Sequence, residues 1–305
     1  MLRTQFLEID SLRKMISQAD AEGRGWPTCI LNVKAQQEYR PEVRGPLSLF
    51  INLQGRSHCK VGSHEVSIDT ERYFLSNSGA HYDFLIDETV PTETFNIHIE
   101  EKLMDQVYAG LTLSESKLLD QPDQLSSGRM NFFSQLYQRD VFLDGLISEI
   151  RQGHFENGHQ KMLETEQMSR LLVHLATINT SSLLEMRRLP ALREATRRET
   201  YRRLIQARDY IHSCYDQELT LDKLAEVACM SRYHFLRAFK GTFRCTPYQY
   251  LKNLRIEKAQ WLLRKSDCAV TDIGLGLGYQ NLSSFSRVFR QMLGTGPQRF
   301  REEHA

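Results

Sequence analysis

The chain has 305 residues, 39 Lys/Arg against 38 Asp/Glu, and 41% hydrophobic residues. That length and apolar share exclude a disordered tail or a minimal disulfide-stapled module and leave room for two or three domains with cores of their own. Six cysteines without a C-x-x-C pair, and no apolar run near the length of a signal segment or membrane span, predict a cytoplasmic protein in a reducing compartment with no membrane association.

Residues 1 to about 25 open polar, with an amphipathic turn over residues 7–16 that Gly23, Gly25 and Pro27 end. From Cys29 the texture changes. Residues 29–35, 47–54, 58–68, 73–76, 81–87 and 94–100 are short runs rich in Val, Ile, Phe and Tyr, separated by Arg40-Pro41, Gly45-Pro46, Gly55, Gly62-Ser63, Asn77-Ser78-Gly79 and Pro91. This spacing predicts a β-sandwich or small barrel over residues 1–105. The segment carries His58, His64, His81 and His98, none with a second His two places away. A strand supplies several metal ligands through a His-x-His pair with a nearby Glu, so no metal and no metal-dependent enzyme is predicted.

From Glu101 the spacing turns helical, with Leu103, Val107 and Leu111, then Phe132, Phe133, Leu136 and Tyr137, then Phe142, Leu143, Leu146 and Ile150. Residues 159–178 continue it with Met162, Leu163, Met168, Leu171, Leu172, Leu175 and Ile178. The helical region 106–189 has two uses for its apolar faces: packing on the sheet, or a homodimer contact through residues 130–150 or 159–178. Residues 179–190, with their serines, arginines and Pro190, are the predicted linker.

From Pro190 to Ala305 there are 20 Lys/Arg against 12 Asp/Glu, compared with 19 against 26 before it, which places a nucleic-acid partner at the C-terminal end. The opening helix of this part is basic at Arg193, Arg197, Arg198, Arg202 and Arg203, while Leu204, Ala207 and Ile211 should face inward. Residues 221–300 then repeat one unit at an offset of 50, matching Asp222 with Asp272, Phe235 with Phe285, Arg237 with Arg287, Phe239 with Phe289, Lys240 with Arg290, Pro247 with Pro297 and Tyr250 with Phe300. Each copy reads as helix, turn, second helix and Pro-marked restart, a tandem helix-turn-helix. Thr220 and Ser231 are expected to cap the two helices of the first copy.

In the first copy Phe235, Ala238, Phe239 and Thr242 share an inward face and Arg232, Tyr233, Arg237 and Lys240 an outward one. In the second, Leu282, Phe285, Val288 and Phe289 face inward, and Gln280, Asn281, Ser283, Ser284, Arg287 and Arg290 outward. Arg reads guanine O6/N7 bidentately and Lys neutralises phosphate, so these ten outward residues are the candidate contacts to double-stranded DNA. Tyr233 against Ser283 shows that the scaffold repeats while the reading residues differ. Thr246-Pro247 begins a linker helix to Lys265, about 27 Å long at 1.5 Å per residue. It can hold two readers about 34 Å apart, one DNA turn, facing successive major grooves.

Asp272-Ile273-Gly274, Gly278-Tyr279-Gln280, residues 285–290, Gly294 and residues 296–301 follow a family signature closely. On them, residues 210–301 resemble the DNA-binding domain of the AraC/XylS family of bacterial transcription regulators. The resemblance implies an α+β multidomain chain: a cupin-like effector domain in the N-terminal β-barrel or sandwich, a helical connecting and dimerisation region, and an all-α DNA-binding domain of residues 190–305 with two helix-turn-helix units joined by a linker helix. It implies a non-enzymatic regulator without cofactor, controlled by a small-molecule effector, acting as a homodimer and meeting RNA polymerase. Control by a protein partner, or none, is the alternative; a metal-cupin enzyme with a DNA-binding tail is the third. A ligand that shifts promoter affinity separates the first two. His81, Tyr82, Asn96 and His98 are polar pocket candidates that only strand register can assign to the inside. Gly274 and Gly276 stand where the family more often has helix formers, so the opening helix of the second copy is expected to be weakened by about 0.5–1 kcal/mol for each.

Overall fold

A computed structural model describes residues 2–21, 26–112, 130–152, 160–190 and 193–304, and the chain separates into two units, Met1–Leu184 and Glu185–Ala305. Alternating apolar residues in the first unit build one sheet from β1 (Leu2–Arg3), β2 (Cys29–Arg44), β3 (Leu47–Gln54), β4 (Ser57–Val61), β5 (His64–Ile68), β6 (Arg72–Ser76), β7 (His81–Ile99) and β8 (Leu136–Gln138). The strand order is β1-β2-β7-β3-β6-β8, and β4 pairs with both β5 and β7. β7 is the spine. It pairs with β4 around Phe84 and with β3 beyond Glu93, so the sheet bends along it and folds over. Asn52 Nδ2 donates to Ile68 O at 2.7 Å and Ser57 Oγ to Asn52 Oδ1 at 3.1 Å, fastening the fold-over. The outcome is a nearly closed barrel.

Two prolines expected to end strands do not. β2 continues through Pro41 and β7 through Pro91, because both sit at register irregularities, between Arg40 and Val43 and opposite the step from Ala35 to Gln37. There the ladder asks for no N–H, which is what a proline lacks. Phe132, Phe133, Leu136 and Tyr137, expected on a helix, are not helical. Leu136 and Tyr137 pair with Phe74 and Tyr73, and their side chains join opposite faces of the sheet. So short an apolar run fits either period, and a free sheet edge decided it.

Helices α1 (Ile9–Ala21), α2 (Glu101–Thr112), α3 (Val141–Gln152) and α4 (Gln160–Arg187) complete this unit as far as Leu184. On β3 the period of two sends Leu47, Leu49 and Ile51 outward to a core shared with Leu103 and Met104 of α2, Leu143, Leu146 and Ile147 of α3, and Met168, Leu171, Leu172 and Leu175 of α4. Phe50 points the other way, into an interior core with Val66, Ile68, Phe74, Tyr82 and Phe84. The apolar breadth of α4 is therefore used within one chain: Leu171 and Leu172 are fully buried. This corrects the expected two-fold contact through those leucines. His159 lies outside the described residues, as do the side chains of Met162 and Leu163.

The boundary between units falls inside the expected linker at residues 179–190, but the stretch is not an irregular loop, since α4 stays helical to Arg187. Thr180 Oγ1 bonds back to Ala176 O at 3.1 Å, Ser182 Oγ accepts from Gln135 Nε2 at 2.9 Å, and Met186 and Leu189 are buried. Polar composition was misleading because these hydroxyls are satisfied within helical geometry.

The second unit adds α5 (Glu194–Ser213), α6 (Leu221–Val227), α7 (Arg232–Phe243), α8 (Pro247–Lys265), α9 (Val270–Gly276), α10 (Leu282–Leu293) and α11 (Pro297–His304). Phe239 meets Phe235 and Tyr250 at ring distances of 5.5 and 5.8 Å; Phe289 meets Phe285 and Phe300 at 5.6 and 5.4 Å. The offset here is 50. In the opening helices it is 49, because Leu224 and Ala225 are buried as Ile273 and Gly274 are, and Met230 N bonds to Ala225 O as Tyr279 N bonds to Gly274 O. Asp222 therefore corresponds to Thr271, not Asp272, and the second turn is one residue longer. Thr220 Oγ1 caps α6 by accepting from Lys223 N, and Thr246 forms a capping box with Gln249 at the start of α8. Ser231 occupies the cap position of α7 without a side-chain cap bond, contrary to expectation. No helix among the described residues is long and apolar enough to cross a membrane.

Candidate nucleic-acid interface

α7 buries Phe235, Ala238, Phe239 and Thr242, so helical geometry turns Arg232, Tyr233, Arg237 and Lys240 out; all four are exposed, Tyr233 by 76%. α10 buries Phe285 and Phe289 and half-buries Val288, leaving Ser283, Arg287 and Arg290 exposed and Ser284 half-buried. Gln280 and Asn281 are exposed just before it. Leu282, expected inward, is exposed because it opens the helix beyond the reach of the aromatic core. Asn281 has a structural task, its Oδ1 accepting Ser284 N at 2.8 Å to cap α10. His234, also exposed on α7, belongs to this outward set and was missed, although its spacing from Arg237 is helical.

Charge separates the open cations from the occupied ones. Arg197 and Arg198 of α5 pair with Glu194 at 3.2 and 3.3 Å, and Arg202 and Arg203 with Glu199 at 2.9 and 2.7 Å. Hydrogen bonds from Arg202 and Arg203 hold the Glu199 carboxyl down to about 2. The basic start of α5 is thus largely neutralised by its own glutamates. Arg232 leans on Asp222 at 3.4 Å. Arg237, Lys240, Arg287 and Arg290 have no ion pair among the described residues.

The two helix-turn-helix copies are tied by a junction on the linker helix. Arg255 Nε donates to Tyr215 O at 2.7 Å and Nη2 to Gln217 O at 2.8 Å, while its guanidinium lies 5.4 Å from the Tyr279 ring centre. Lys258, mostly buried, places Nζ 4.7 Å from the ring centre of Tyr215. Gly278 takes φ +79°, and a Cβ there would stand 2.5 Å from Asp216 O. The end of α5, the linker helix and the second turn meet at this point. Arg255 and Lys258 were not singled out from the sequence; the signal was two cations three residues apart among the buried positions of α8.

The first unit holds a cavity of about 50 Å³, whose lining includes Phe6, Trp26, Phe50, Phe84, Tyr82, Asn96 and His98. Of the four polar pocket candidates, Tyr82, Asn96 and His98 line it, whereas His81 is exposed and does not. Among the described residues no group of three or more His, Cys, Asp or Glu side chains is placed to hold a metal ion.

Residues 224–303 match a protein-family model described as a helix-turn-helix domain. The chain is 34% identical over 95 residues to the MmsAB operon regulatory protein of Pseudomonas aeruginosa, covering 31% of this chain and 30% of that protein. It is 30% identical over 87 residues to the probable transcription factor PqrA of Proteus vulgaris, covering 28% of this chain and 71% of that protein. A solved transcriptional regulator from Chromobacterium violaceum, of the AraC-type DNA-binding class, is 26% identical over 34% of this chain and 92% of its own, with a TM-score of 0.32. The match to the Pseudomonas protein thus spans less than a third of that relative's length.

Proposed function

Because the chain belongs to the AraC/XylS family of bacterial transcription regulators, we propose that it is a sequence-specific DNA-binding regulator whose helices α7 and α10 enter successive major grooves of one duplex. The observation that carries this reading is the matched pair of open cations on each reader, Arg237 with Lys240 and Arg287 with Arg290, beside arginines elsewhere that are spent on glutamates. Arg237 and Arg287 read base edges, while Lys240 and Arg290 neutralise phosphates. Arg232, Tyr233, Gln280, Ser283 and Ser284 complete the contact set, and Asn281 joins it through the amide nitrogen that capping leaves free. The test is a duplex enriched from a random pool by the full chain. Arg237→Ala and Arg287→Ala should each cost about 1–3 kcal/mol and relax preference at one base position in different halves of the site. Equal losses on all sequences would make them phosphate contacts and refute the assignment.

In the same reading the first unit is a non-enzymatic sensor whose cavity takes a small-molecule effector, the protein works in the cytoplasm as a homodimer, and RNA polymerase is a further partner. Buried polar groups that line the cavity without partners support the sensor assignment. A fragment of residues 185–305 should bind the enriched duplex alone, with affinity falling steeply as salt rises, because Lys and Arg displace counterions from phosphate.

A further inference from the structure

Strand register brings a small polar group together inside the barrel. Ser48 lies opposite His98 on one side and Cys29 opposite His98 on the other, with Asn96 two residues back on the same face of β7. Ser48 Oγ has one proton, and it donates that proton to Pro46 O at 2.9 Å. Its 2.9 Å contact with His98 Nδ1 is therefore a bond it accepts, so Nδ1 carries the ring proton and Nε2 presents a bare lone pair. Burial keeps the ring neutral by pushing its pKa down to about 4.

That lone pair has no hydrogen-bond partner among the described residues, and His98 is only 2% exposed. Asn96 is equally buried, and its Oδ1 accepts from Ile51 N at 3.3 Å while its Nδ2 has no partner among the described residues. An acceptor and a donor thus face one cavity from alternate positions of a strand, about 6.6 Å apart along it. That spacing belongs to the backbone; a hydroxyl bonding at about 2.8 Å to both groups needs the two nitrogens to converge to about 4.5–5 Å, as side chains reaching from one strand face into one cavity can do.

The rest of the lining is mainly apolar, with aromatic rings beside aliphatic side chains such as Leu12, Met15 and Leu31. Trp26 lies 5.7 Å from the His98 ring, and Phe50 lies 4.8 Å from Tyr82 and 5.5 Å from Phe84. Arg40 is already engaged, by Glu38 at 2.6 Å, by Leu7 O and by the face of Phe6 at 4.9 Å. A carboxylate at the deep end would set its charge against the Nε2 lone pair and meet no free cation there. Arg3, half-exposed, is the lining group that would favour an anion instead. A cavity of about 50 Å³ holds roughly four waters at about 10–15 Å³ each, the space of one small ring.

We propose that the cavity binds an uncharged single-ring molecule whose hydroxyl donates to His98 Nε2 and accepts from Asn96 Nδ2, its ring lying among Trp26, Phe50 and Phe84. This rests on reading the first unit as a sensor. The test titrates phenol, anisole and benzoate into the full chain carrying Trp261→Phe, so that Trp26 is the sole tryptophan reporter. Phenol should change its fluorescence saturably, with anisole, which lacks the donor, and benzoate at pH 7 each bound at least about tenfold more weakly. His98→Leu should reduce phenol to the level of anisole; Asn96→Leu is the second variant, and circular dichroism checks that both fold. Anisole binding as well as phenol, benzoate binding better, or no binding of any of the three by the unsubstituted cavity overturns the proposal. Phenol binding that leaves affinity for the enriched duplex unchanged would sink the sensor reading and leave the ligand chemistry standing.

Discussion

Replacing Gly278 by Ala should unfold or distort the second reader, and the magnitude follows from the geometry of its turn. The residue sits at φ +79°, where an L side chain costs about 1–2 kcal/mol. Its new Cβ would lie 2.5 Å from Asp216 O and 2.8 Å from Asp216 C, backbone atoms that cannot swing aside. They belong to a segment held by Arg255 at Tyr215 O and Gln217 O, so relieving the clash means breaking the junction, about 1–3 kcal/mol more. The expected loss is about 2–5 kcal/mol. Gly276→Ala is the control, since nothing lies within 4 Å of its built Cβ and the helix should gain about 0.5–1 kcal/mol. Gly274→Ala falls between, because its Cβ would press on Phe285 at 3.0–3.1 Å and offset the helical gain. Urea unfolding of the full chain, followed at Trp261 in a Trp26→Phe background, orders the three. Gly278→Ala within about 0.5 kcal/mol of its parent, or Gly276→Ala less stable than it, would refute this account of the turn.

Leu172→Asp should unfold the first unit, by more than about 4 kcal/mol, because it places an unpaired carboxylate in a fully buried site; a folded monomer in sedimentation would restore the dimer contact to this face. Arg255→Met should remove the donors to Tyr215 O and Gln217 O at a cost of about 1–3 kcal/mol, and should flatten the loss of DNA affinity when one base pair is inserted between the half-sites; unchanged spacing dependence would show that the junction does not set the readers' phase. His98 has a folded pKa of about 4 against about 6.5 unfolded, so the unfolded chain takes up the proton first and stability falls as pH drops through that window. The loss from this group between pH 7 and 5 should be about 2 kcal/mol in urea titrations, and an undiminished fall in His98→Gln would assign it elsewhere.

The second unit was largely legible because its signals are local. Helical spacing, the Thr220 and Thr246 caps and the Pro247 restart each act within a few residues, and each formed where the sequence placed it. The first unit was legible as strand-rich and not as a path. Pro41 and Pro91 break the local pattern, yet pairing along β2 and β7 absorbs them in bulges, and Leu136 with Tyr137 became a strand only because β6 offered an open edge. Such decisions depend on partners about 40 to 60 residues away, which no local window contains. The same holds for the cavity: Asn96 and His98 face inward because the ladder sets Ser48 opposite His98, a register that the two runs do not state separately.

The duplication shows how a correct inference can still miss by one residue. Aromatic positions at an offset of 50 fixed the equivalence of α7 with α10, since large side chains tolerate no slip in a packed core. Asp222 and Asp272 shared that offset by coincidence, because exposed acidic residues near a helix start are common and carry no packing constraint. The buried pairs, Leu224 with Ile273 and Ala225 with Gly274, keep the true alignment of the opening helices. Cys229 and Gly278 both take positive φ at the offset of 49, so the added residue in the second turn lies after Tyr279, between it and Phe285. Reader phase should therefore depend on residues 280–284 and Arg255 as well as on the length of α8, each residue of which adds about 1.5 Å and about 100° of rotation.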